Sequence, residues 1–121
     1  MAAAADAPGK MQGVLAVEGR CVVQEVDTPT AGPGQLLLKV AATAINRADT
    51  LQRKGRVPPP PGTTPVLGLE AAGTVVAFGE GCSRTEELPV GSQAMALLVG
   101  GACSAPGLAA RRSPANSAHA P

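Results

Sequence analysis

The run Leu36-Leu37-Leu38-Lys39-Val40-Ala41-Ala42-Thr43-Ala44, followed directly by Ile45-Asn46-Arg47-Ala48-Asp49-Thr50-Leu51-Gln52-Arg53-Lys54-Gly55, decides the fold class. Its first half is the longest apolar run of the chain, and continuity of that kind predicts a strand buried on both faces. Its second half carries the punctuation of a short helix over Arg47 to Lys54. Asn46 is placed to cap the helix and Asp49, at the third helical position, completes a variant capping box. Arg53 and Lys54 suit the negative end of the helix dipole, and Gly55 suits the residue just past it.

Outward from this strand–helix unit, short β-prone segments recur between turn residues. Val14–Val17 and Cys21–Val26 flank Glu18-Gly19-Arg20, which reads as a hairpin turn. Residues 28–34 form a loop of Thr, Pro and Gly. Four prolines, Pro58 to Pro61, stiffen another. Leu67 to Phe78 is expected as a strand pair or one bent strand with Gly73 at a bulge. Gly79-Glu80-Gly81 closes it, and residues 92–99 carry the last patterned strand. The sum is a mainly β domain, a partly open β-barrel with one short helix.

Composition limits the core and the chemistry. Of 121 residues, 45% are hydrophobic, but 23 are alanine, and Leu, Ile, Val and Phe together number 25. Phe78 is the only aromatic, so the core is aliphatic and thin. A single histidine, His119 near the end of the chain, argues against a Ser-His-Asp triad, a Cys-His nucleophile or a HExxH zinc site. The lack of tyrosine removes a phenolic acid–base. A net charge of +1 with one aromatic argues against nucleic-acid binding. No apolar run reaches the ~18 residues that span a bilayer, and residues 1–10 lack the apolar stretch of a signal peptide. Cys21, Cys82 and Cys103 are odd in number and have no CxxC spacing, which predicts reduced thiols and a cytoplasmic location.

Three features compete as sites on residue chemistry alone. Gly79-Glu80-Gly81 is half of a dinucleotide fingerprint, but Arg84 stands where the third glycine belongs, so a plain turn between strands is the simpler account. Arg47, Arg53, Lys54 and Arg56 form a basic cluster that suits a phosphate or merely a helix end. Glu70 is a carboxylate between Leu67, Leu69 and Ala71, and needs either a partner or a role.

The ordered motifs Pro-Gly-Gln-Leu-Leu-Leu-Lys-Val (33–40), Ala-Ile-Asn-Arg-Ala-Asp (44–49), Gln-Arg-Lys-Gly (52–55) with the proline loop, and Leu-Gly-Leu-Glu-Ala-Ala-Gly (67–73) resemble the N-terminal part of the medium-chain dehydrogenase/reductase family. Within it the chain is most similar to the zinc-free quinone oxidoreductases related to zeta-crystallin, over residues 11–101. The resemblance implies an incomplete GroES-like barrel with the Rossmann domain that holds NADPH missing. Zinc-dependent members have a cysteine at the position of Asn46 and a Gly-His-Glu where this chain has Gly68-Leu69-Glu70. An amide and an isobutyl group are not zinc ligands. The implied chemistry is hydride transfer from NADPH to a quinone, with Asn46, Leu51, Val57 and Glu70 as pocket residues. Val57 departs from the tyrosine of similar members.

Three segments are expected: a disordered leader over 1–10, the partial GroES-like domain over 11–101, and a disordered tail over 102–121. The tail has the composition of a shifted frame or an alternative terminal exon. The implied whole is a truncated oxidoreductase form, inactive and without bound NADPH as an isolated chain. The alternative is a non-enzymatic β module whose open edges pair with a full-length subunit.

Overall fold

The computed structural model describes residues 9–82, 86, 88–98 and 100, and the backbone of 104–105 and 108–112. The leader residues 1–8, Val99, Cys103 and His119 lie outside the described residues. Among the described residues seven strands and one helix follow in chain order: β1 Lys10–Val17, β2 Arg20–Asp27, β3 Gln35–Thr43, α1 Arg47–Arg53, β4 Glu70–Phe78, β5 Gln93–Leu97, β6 Ser104–Ala105 and β7 Leu108–Arg112. They form two antiparallel sheets, ordered β2-β1-β6 and β5-β4-β3-β7. No closed barrel forms among the described residues, in keeping with the partly open barrel read from the sequence.

The β1–β2 hairpin turns at Glu18-Gly19, both left-handed with φ of 48° and 78°. Two consecutive positive φ values match the right-handed twist of the strands, and Asn-Gly meets them with least strain. Glu18→Asn is therefore expected to raise stability by about 0.5–1 kcal/mol. An unchanged or lower urea midpoint would count against this turn geometry. At the hairpin's open end Lys10 pairs with Asp27, whose carboxylate holds the ammonium pKa above its usual value.

β3 is buried on both faces only at its start. Leu36, Leu37 and Leu38 are buried, whereas Lys39 and Ala41 to Thr43 are exposed. The expectation of burial along the whole run is corrected there, because the cover on each face reaches only the first residues of the strand. Leu37 packs with Met11 of β1 and Ala77, while Leu36 and Leu38 pack with Val75 and Ala96. Among the described residues, two small aliphatic clusters thus lie on opposite faces of this sheet. Strand alternation puts Leu37 on one face and Leu36 and Leu38 on the other, and a register shift adjusts β4 to it: Leu37 faces Ala77 but Leu38 faces Val75, leaving Val76 as an extra residue on β4. Val76 and Ala77 then both serve the Met11 cluster, as a bulge allows. A second shift leaves Ala41 extra on β3, opposite Gly73 and Ala72. Gly73 thus lies beside a bulge as expected, with the added residue on the partner strand.

The helix matches its punctuation. Asn46 has extended dihedrals (φ −110°, ψ 161°), and its N–H donates to Asp49 Oδ2 at 2.8 Å. At the other end Gly55, with φ 71°, donates to Gln52 and Arg56 donates to Leu51, both at 2.9 Å. This paired stop requires a left-handed residue at position 55.

Within the tail expected to be disordered over 102–121, two short strands are described. Ser104–Ala105 pairs with Gln12 and Gly13, and Leu108–Arg112 pairs with Gln35 to Lys39. Edge pairing runs through backbone N–H and C=O groups, so it needs no apolar alternation in the added strand.

Candidate functional site

The two sheets exchange chain at residues 66–70, and the site residues collect there. Val66 bridges to Leu15 and Leu67 donates to the Val14 carbonyl at 2.9 Å, so this end belongs with β1. Two residues later Glu70 opens β4 in the other sheet. The chain turns between them at Gly68, buried and left-handed with φ 104°. Asp49 holds that turn: its Oδ1 accepts the Gly68 N–H at 3.1 Å while its Oδ2 takes the Asn46 N–H. It is the one buried charged residue among those described, at 7% exposure.

The turn sets Glu70 against the helix cap. Asn46 Nδ2 donates to Glu70 Oε2 at 3.2 Å, and Thr43 Oγ1 donates to the Glu70 carbonyl at 2.8 Å. Glu70 therefore has an amide partner rather than an ion pair among the described residues. Both side chains are half-buried.

An apolar strip borders this polar pair. Glu70 faces Leu97 across the β4–β5 ladder and Ala72 faces Met95, and directly paired residues share a face. Leu97 and Met95 are each 80% exposed, and Ile45, next to Asn46, is 82% exposed. Residues 93–97 alternate large with small: Ala96 is buried and Ala94 half-buried, while the larger Met95 and Leu97 face outward. That reversed amphipathic alternation was visible in the sequence and marks a face that residue size alone would assign to the core.

The other expected site residues lie farther along the helix and beyond it. Leu51 is half-buried five residues past the cap, about 7.5 Å along the axis at ~1.5 Å per residue. Val57 is exposed in the loop after α1. Asn46 and Glu70 are joined directly, whereas no hydrogen bond joins Leu51 or Val57 to them among the described residues. The sequence shows Asp49 completing the capping box of Asn46 but not its bond to Gly68, because nothing local signals a partner nineteen residues away.

Gly79-Glu80-Gly81 is a turn docked on the 32–35 loop, as the simpler reading held. Gly79 donates to Gln35 at 2.8 Å, and Glu80 accepts from Gly34 at 2.7 Å. A Cβ on Gly79 would overlap the Gly32 carbonyl. In the basic cluster Arg47, Lys54 and Arg56 are exposed and Arg53 occupies the last helical turn. Cys21 and Cys82 are free thiols. No helix among the described residues is long and apolar enough to cross a membrane, and no three potential metal-ligating side chains cluster among them.

Comparison with known proteins gives this geometry a setting. The sequence model of the alcohol dehydrogenase GroES-like domain matches residues 32–113, reaching beyond Gly101 into the paired tail strands. The human synaptic vesicle membrane protein VAT-1 homolog is 50% identical over 58 residues, which cover 46% of this chain and 14% of that protein. Among solved structures, a human VAT-1 homolog-like protein superposes with a TM-score of 0.70 at 25% identity, over 90% of this chain and 37% of that one. A mycobacterial quinone oxidoreductase superposes with a TM-score of 0.69 at 27% identity, over 84% of this chain and 31% of that one. The chain thus spans a small part of these proteins' length.

Proposed function

Because the chain belongs to the alcohol dehydrogenase GroES-like domain family, and because its helix cap presents an amide joined to a carboxylate, we propose that it supplies the substrate-side part of a zinc-independent, NADPH-dependent quinone oxidoreductase. The hydrogen-bonded Asn46–Glu70 pair beside the exposed Met95–Leu97 strip carries this reading. The family kinship supports oxidoreductase ancestry, and the quinone oxidoreductase neighbours support the substrate class.

The donor set at the cap does not fit zinc. Asn46 offers a neutral amide and Leu69 offers no ligand atom, so no step runs through a metal. The same residues fit the nicotinamide end of a cofactor. An apolar strip suits a ring face, and a fixed amide and carboxylate suit a polar ring substituent. The pyrophosphate end finds no such fit: among the described residues no glycine-rich turn leads from a strand into a helix, and the Gly79–Gly81 turn is spent on the 32–35 loop. NADPH, when bound, supplies the hydride. Asn46 and Glu70 orient the ring edge, while Leu51 and Val57 border the space for the quinone. The free thiols favour a cytoplasmic setting.

These 121 residues alone are accordingly expected to move no hydride from NADPH to a quinone. Turnover above the protein-free blank would overturn that. The pocket assignment is tested separately with a reduced N-alkyl nicotinamide that carries no phosphate. At millimolar concentration it should shift the Asn46 and Glu70 amide resonances, and a spectrum with both unmoved would sink it.

The uncharged β5 edge, unpaired among the described residues, favours a second reading, pairing with a full-length subunit of the same family. Co-purification at fixed stoichiometry supports it, and recovery as heterogeneous aggregate opposes it.

A further inference from the structure

Helix capping accounts for only half of what Asp49 does. A capping box needs one carboxylate oxygen, here Oδ2 on the Asn46 N–H. The second oxygen takes the N–H of Gly68, a residue outside the helix whose turn decides where Glu70 enters β4. A carboxylate at 7% exposure needs its donors, and each of these two belongs to one side of the Asn46–Glu70 contact.

We propose that Asp49 is a positioning residue: its carboxylate spans the helix cap and the Gly68 turn, and so sets the Asn46 amide, NH2 inward, against Glu70. The pair then forms one polar edge of fixed orientation instead of an amide free to flip. This rests on the reading of Asn46 and Glu70 as pocket residues given above. The residue type follows from the two donors. A carboxylate accepts at both oxygens, whereas an asparagine in its place turns an NH2 toward one of two N–H groups, donor against donor. A serine offers one oxygen for two separate partners.

The test uses the full 121-residue chain, isotope-labelled, as wild type, Asp49→Asn and Glu70→Gln. In the wild type the Asn46 side-chain NH2 should exchange roughly tenfold or more slowly than that of exposed Gln12, as a hydrogen bond to a charged group implies. Glu70→Gln should remove most of that retardation. Asp49→Asn should remove it to the same degree while the Leu38 and Val75 methyl resonances stay in place. If Asp49→Asn lowers Tm but leaves the Asn46 signature at its wild-type value, the residue is only structural and the proposal fails. Should that variant not fold, scalar couplings across hydrogen bonds in the wild type decide. Couplings from both the Asn46 and Gly68 amide nitrogens to Asp49 Cγ support the proposal, and absence of either overturns it. The nicotinamide titration reads out independently: its failure removes the pocket assignment and leaves the Asn46 exchange result standing.

Discussion

A Gly73→Ala chain is expected to lose about 3 kcal/mol or more of folding stability, the upper end of overpacking costs. Gly73 pairs with Val40, next to the Ala41 bulge of β3. A Cβ there would overlap the carbonyl oxygen of Lys39 and crowd the Val40 Cα. Both are backbone atoms of the central strand pair, so no rotamer change relieves the contact. Gly73 is absent from the left-handed glycines, so the penalty is steric crowding and not backbone strain. Urea unfolding followed by circular dichroism measures it. A midpoint within error of the wild type would mean that the two strands lie farther apart than described.

Leu38→Ala should cost about 2–5 kcal/mol, the usual range for truncating a buried leucine. Leu38 and Val75 are fully enclosed, at 0% exposure each, and Leu36, Ala96, Cys82, Leu88, Ala94 and Leu98 pack in their cluster. Phe78 packs at its margin and is the only aromatic in the chain, so little side-chain bulk is at hand to fill the cavity. Leu97→Ala is the matched control: the same chemical deletion at 80% exposure should stay within about 0.5 kcal/mol. Equal losses for the two variants would show that the division between core and surface on β4–β5 is misplaced.

How much was legible follows from the reach of each signal. The Asn46 cap, the Gly55 stop and the Glu18-Gly19 turn were readable because their hydrogen bonds close within a few residues. The double burial of Leu36–Leu38 was readable too, but not its end at Lys39. Where cover stops depends on how far Met11 of the second sheet and Cys82, Leu88, Ala96 and Leu98 reach over the strand. Asn46 and Glu70 were each singled out, one through a family resemblance and one as a carboxylate in apolar sequence. Their contact follows from the Gly68 turn, which hangs on Asp49. The strands at 104–105 and 108–112 left no trace in the pattern, since edge strands enter through backbone groups.

The placement of those last strands governs the order in which the chain assembles. The β1–β2 ladder joins Val17 to Arg20 across a two-residue turn and forms on the ~1–10 μs scale of hairpins. β3 and β4 follow at intermediate separation. The β3–β7 ladder joins Gln35 to Arg112, and β6 returns Ser104–Ala105 to β1, so among the described residues each sheet takes its latest strand in chain order from the same short stretch. During synthesis, neither ladder exists until that stretch has left the ribosome. Until then the outer edge of β3 stands open beside the hydrophobic Leu36–Leu38, and a nascent chain is most exposed to wrong pairing in that interval.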